Sequence, residues 1–117
     1  MTEEKQFDEL AFLAGVKRRP GMYFGRKSLI GLRDMLGGMK LAFFACGRTD
    51  ALRYFSEFIE LCNHRLMEKD SNGYSCWWNH MLYICGNNDE LALDCFFNEF
   101  ERFLNEEYGL KLPEFGV

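Results

Sequence analysis

Two cysteine–histidine pairs are the residues of this sequence whose types and spacing first suggest chemistry. Cys76 and His80 stand at i, i+4 and would share a helix face, while Cys62 and His64 lie upstream. Zinc takes four converging ligands, but residues two apart on a helix point roughly opposite ways, so the upstream pair cannot join the later one on a single ion. A Cys76–His80 nucleophile would need an orienting acid or amide, a cleft and an activated thiolate. Asn79 adjoins His80, yet neighbouring helical residues face different directions. The five cysteines (Cys46, Cys62, Cys76, Cys85 and Cys95) contain no Cys-x-x-Cys. In a reducing compartment they read as small core hydrophobes rather than a disulfide frame. No catalytic residue, metal or cofactor is expected, and the chain is not expected to be an enzyme.

Carboxylates form the second candidate set. Glu90, Asp94, Asn98, Glu101 and Asn105 are spaced 4, 4, 3 and 4 apart and would line one polar helix face. Exposed carboxylates of this kind suit binding better than proton transfer. Charge along the chain points the same way. Residues 1–53 hold 10 Lys/Arg against 6 Asp/Glu, a net +4, whereas residues 54–117 hold 4 against 12, a net −8. An acidic half repels phosphate, which speaks against direct nucleic-acid binding, and steers a basic partner instead. The partner-binding residues expected are Glu57, Glu60, Glu90, Asp94 and Glu101.

These side chains need elements to hold them. The first helix is expected from Thr2, as N-cap, to about Lys17, with Phe7, Leu10, Leu13 and Ala14 on one face. Ser28 caps a second, from Leu29 to about Cys46, with Leu29, Leu32, Leu36, Met39 and Phe43 in its apolar stripe. Gly31, Gly37 and Gly38 within it cost up to about 1 kcal/mol each, which implies close approach by a neighbouring backbone. Thr49 or Asp50 caps a third helix reaching about Lys69, with Leu52, Phe55, Ile59, Cys62 and Leu66 inward. Asp70-Ser71-Asn72-Gly73 is a turn. Residues 74–85 suit either a strand or a helix; with helices on both sides we read a helix, in which Tyr74, Trp78, Met81 and Cys85 share a face. Four aromatics in this stretch (Tyr74, Trp77, Trp78 and Tyr83) leave room for one or two at the surface as interface anchors. The last helix starts at Asn88 or Asp89, ends at about Tyr108 before Gly109, and turns Ala92, Phe96, Phe100, Phe103 and Leu104 inward.

Between the first two helices lies Arg18-Arg19-Pro20-Gly21-Met22-Tyr23-Phe24-Gly25, the most distinctive stretch in the chain. Pro20 and its effect on Arg19 end the first helix, and the apolar residues between two glycines suggest a loop tucked into the core. With Ser28-Leu29-x-x-Leu32-x-x-Met35-Leu36-x-Gly38, Trp77-Trp78-x-His80 and Asp94-Cys95-Phe96-Phe97-x-Glu99-Phe100, this stretch resembles a group of small bacterial proteins, many of them immunity proteins of contact-dependent growth inhibition and related toxin systems. The resemblance implies a protein that binds and neutralises a cognate toxin C-terminal domain. Such toxins are often nucleases with basic substrate channels. Arg-Pro-Gly-Met-Tyr also opens the ATPase domain of type II topoisomerase subunits, but this chain has no Asp-x-Gly-x-Gly and no glycine-rich lid to cradle phosphate.

A length of 117 residues fits one domain, and 48% hydrophobic content with 12 Phe, 5 Tyr and 2 Trp argues for a real core. No apolar run approaches the ~20 residues of a membrane span, and the acidic N-terminus is unlike a secretory signal, so a cytoplasmic location without membrane contact is expected. The chain is expected to be an all-α, single-domain bundle of about five helices over residues 1–117. The competing functional readings are a cytoplasmic regulatory or scaffolding module without a toxin, and a small enzyme or metalloprotein using Cys76 and His80.

Overall fold

In a computed structural model, which describes residues 7–69 and 76–114, every regular element is helical. Among the described residues six helices follow one another: α1 (Glu9–Arg18), α2 (Pro20–Phe24), α3 (Leu29–Ala45), α4 (Arg53–Lys69), α5 (Trp77–Ile84) and α6 (Asp89–Tyr108). The all-α bundle is as expected, with one helix more. The additional element is the proline stretch, where Pro20 at N1 opens a single turn that Gly25 closes in the left-handed region at φ 79°. Its middle is tucked in only in part: Tyr23 and Phe24 are half-buried against the core, while Met22 is 73% exposed.

Helix starts also differ from expectation. Asp8 caps α1, its side chain accepting from the Ala11 N–H at 3.1 Å, and the Thr2 cap falls outside the described residues. α4 begins at Arg53, so neither Thr49 nor Asp50 is its N-cap; the Glu9 carboxylate takes that role from α1, accepting from the Tyr54 and Phe55 N–H groups at 3.0 and 2.6 Å. α5 is shorter than the span 74–85, and its cap is likewise borrowed: Asn63 of α4 accepts from the Trp77 N–H at 3.1 Å. Tyr74 and the Asp70–Gly73 turn lie outside the described residues.

α6 is the central post, packed against α3, α4 and α5. Ala92, Leu93, Phe96, Phe97, Phe100, Phe103 and Leu104 are all buried along it. Around Phe96 the aromatic rings interlock: Phe100 stacks on it at 5.6 Å, while Phe58 and Phe55 of α4 meet it edge-on at 5.6 and 6.0 Å. Trp77 of α5 closes the group at 5.6 Å. Offset and edge-to-face pairs of this kind add about 0.5–1.5 kcal/mol each beyond their area burial. Leu29, Leu32 and Leu36 bring α3 to the same core, as expected, and Phe58 and Trp77 join it although neither lay on the expected stripes. Of the three glycines in α3, Gly31 does meet a neighbour: a Cβ there would sit 2.7 Å from the Phe24 ring. Gly37 and Gly38 meet nothing within 4 Å, so no contact among the described residues accounts for them.

Candidate functional site

The polar face of α6 is built as its spacing predicts, because the phenylalanines on the opposite side fix the helix in rotation. Asn88 caps it, accepting from the Leu91 N–H at 3.1 Å, and Gly109 ends it at φ 64°. Glu90, Asp94, Asn98 and Asn105 are exposed, and Glu101 is half-buried. Two of the carboxylates are engaged by lysines from the basic half of the chain. Lys27 Nζ donates to Asp94 Oδ2 at 2.7 Å, and Lys17 Nζ donates to Glu101 Oε2 at 2.9 Å. Glu90 forms no ion pair among the described residues.

Glu57 and Glu60 do not join this row. Glu57 accepts from the Tyr108 hydroxyl and lies 3.5 Å from Arg53, against the C-terminal end of α6. That hydrogen bond holds the Tyr108 hydroxyl above its ordinary pKa. Glu90 and Tyr108 are 18 residues apart on one helix, about 27 Å, so the five carboxylates cannot meet a single small contact. Glu60 is exposed on α4. The structure thus brings Glu90, Asp94 and Glu101 together and leaves Glu57 and Glu60 apart.

At the start of α6 a further carboxylate has a positioning role that the sequence reading missed. Asp89 Oδ1 accepts from the Ile30 N–H at 3.0 Å, and Oδ2 accepts from the Ser28 hydroxyl, which itself accepts from the Gly31 N–H at 2.9 Å. Partial burial raises the Asp89 pKa, but the hydrogen bonds from Ser28, Ile30 and Leu29 with the charge of Arg26 outweigh it, so the carboxyl sits below its usual range. The N-termini of α3 and α6 are clipped together by this one side chain.

The cysteine–histidine pairs are differently placed. His80 and Cys62 line a groove of about 530 Å³ between α4, α5 and α6, together with Arg65, Cys95, Glu99 and Arg102. Cys76 is exposed at the N-cap of α5, and His64 is exposed on α4 while Cys62 is half-buried. Burial pushes the Cys62 and Cys95 thiols up to about 11, so neither is a thiolate near neutral pH. Among the described residues no group of three or more His, Cys, Asp or Glu is arranged to hold a metal ion. The groove's rim is balanced, Arg102 lying 3.9 Å from Glu99 and 3.3 Å from Glu106.

No family model, curated protein or solved structure matches this chain. What the site can do is therefore read from its own side chains. The α6 face offers carboxylates along one helix, and Leu91 (53% exposed) is an apolar group near its N-terminal end. No described helix is long and apolar enough to cross a membrane.

Proposed function

We propose that the protein is a cytoplasmic immunity protein, which binds the C-terminal domain of a cognate contact-dependent growth inhibition toxin and blocks it without making or breaking bonds. A nuclease toxin, with a basic substrate channel, fits the charge of the surface. The observation that carries this reading is the row Glu90, Asp94 and Glu101 on one face of α6, held in rotation by the buried phenylalanines behind it. Oppositely charged faces accelerate encounter and fix register, and they suppress wrong partners. The Lys27 and Lys17 pairs at 2.7 and 2.9 Å are exposed, so their lysines can yield to a partner's cations at small cost.

The test is co-expression with the C-terminal domain of the protein encoded by the neighbouring gene, followed by co-purification and a growth assay. Neutralisation by wild type, slowed association with Glu90→Lys and Asp94→Lys, and loss of that difference in high salt are expected. Turnover of a substrate by the purified chain, or growth protection with no complex, would reject the reading.

A further inference from the structure

A second surface lies on the opposite side of the charge balance. The C-terminal half of α3 and the start of α4 enclose an open groove of about 470 Å³, whose walls include Leu41, Phe43, Phe44 and Leu52. Leu41 and Phe44 are 72% and 70% exposed although both are large apolar residues one helical turn apart. Lys40 and Arg48 stand among the lining residues, no carboxylate does, and neither cation forms an ion pair with the described residues. Gly37, also in the wall, and Gly38 beside it leave open space where side chains would stand.

We propose that this groove receives an acidic amphipathic helix of a partner protein, separate from the contact proposed for α6. Apolar anchors at i, i+3 or i+4 and i+7 would seat over Leu41, Phe44 and Leu52, and flanking carboxylates would meet Lys40 and Arg48. Along α3 the wall runs from Gly37 to Phe44, seven residues or about 10 Å, which matches about two turns of a docked helix, with Arg48 just past the helix end. The glycines explain themselves here, since they let a partner backbone come close where Gly31 serves an internal contact. A second copy of the chain is the poorer occupant. Two-fold symmetry presents the same patch from both sides and would set Lys40 and Arg48 against their own copies with no acid between them.

The test uses the full chain and a fluorescein-labelled helical peptide with Leu at i, i+3 and i+7 and Glu at the flanking positions, beside its counterpart carrying Lys for Glu. By anisotropy, wild type should bind the acidic peptide in preference to the basic one. Phe44→Ser should weaken that binding about tenfold, the loss typical of a central anchor. Lys40→Glu with Arg48→Glu should reverse the preference between peptides, and Glu90→Lys should bind the acidic peptide as wild type does. Circular dichroism checks each fold, and Leu41→Ser repeats the truncation should Phe44→Ser unfold. Equal binding of both peptides, no binding of the acidic one, or binding unchanged by both sets of variants would overturn the proposal. So would a wild-type dimer in sedimentation that Phe44→Ser dissociates, which would give the groove to a second copy. Because Glu90→Lys is silent here and disruptive in toxin association, failure of one reading leaves the other measurable.

Discussion

Glu9 and Phe55 are joined across 46 residues of sequence: the Glu9 Oε2 accepts from the Phe55 N–H at 2.6 Å while Oε1 accepts from Tyr54 at 3.0 Å. The side chain belongs to α1 but satisfies the first turn of α4, and Glu9 is only 5% exposed. Its removal would leave two N–H groups without acceptors in a site that water barely reaches. Glu9→Ala should therefore cost about 2–3 kcal/mol, and Glu9→Gln, which keeps one acceptor, about 1–2 kcal/mol. Urea denaturation should show a lower midpoint with an unchanged slope; a loss no larger than that of an exposed Glu60→Ala control would contradict the capping role.

The two cross-chain caps should titrate in opposite senses. Burial raises the Glu9 carboxyl above 4.5, assisted by the Glu57 charge and opposed by the Phe55 and Tyr54 hydrogen bonds and by Arg53. The native state then holds that proton more tightly than the unfolded chain, so the Glu9 contribution is greatest below pH 4.5 and declines as pH rises through the raised value. Asp89 sits below 3.8, so its contribution is present above that pH and is lost as pH falls through its folded value. Wild type should thus gain on Glu9→Gln, and lose its lead over Asp89→Asn, as the medium is acidified. Melting temperatures of the three proteins from neutral pH to strong acid provide the check, and parallel curves would refute both assignments.

These caps also mark where the sequence stops being legible. Ser28, Asn88 and Gly109 act on helices next to them in the chain, so composition alone locates the ends of α3 and α6. Glu9, Asn63 and Asp89 act on helices up to 59 residues away, and a local window contains no trace of that. Phe58 and Trp77 were hidden for a related reason: a helix packed on two neighbours buries a wider face than a single stripe of 3/4 spacing describes. The carboxylate row on α6 could be read from its spacing. Its lysine partners could not, lying 84 and 67 residues away in sequence.

The glycines of α3 should divide by substitution. Gly31→Ala would place a methyl 2.7 Å from the Phe24 ring and should destabilise by about 1–3 kcal/mol as α2 is forced outward. Gly37→Ala and Gly38→Ala meet open space inside a helix and should each stabilise by up to about 1 kcal/mol. Thermal melts of the three single variants test this, and a destabilising Gly38→Ala would count against the open face.

Thiol reactivity should sort the cysteines by environment. Cys46 and Cys76 are exposed, whereas Cys62 and Cys95 are partly buried with thiols pushed up to about 11. With an aromatic disulfide reagent at about pH 8, the first two should react in the native protein and the second two only as it unfolds. Rapid native labelling of Cys62 would instead indicate an activated thiol in the α4–α5–α6 groove and reopen a catalytic reading.

Lysines beside the carboxylate row give the most direct test of its use. Lys27 and Asp94 are 40% and 54% exposed, and Lys17 and Glu101 are 45% and 30% exposed, so each pair contributes at most about 1 kcal/mol to the fold. Lys27→Ala and Lys17→Ala should therefore leave stability almost unchanged while removing the positive charges that mask Asp94 and Glu101. If a basic toxin domain is recognised through this row, both variants should associate faster than wild type at low salt, with the difference shrinking as salt rises. Glu90→Lys should act in the opposite direction. Stopped-flow association across a salt series separates this from a purely steric block, for which the lysine and glutamate variants would all associate at the wild-type rate.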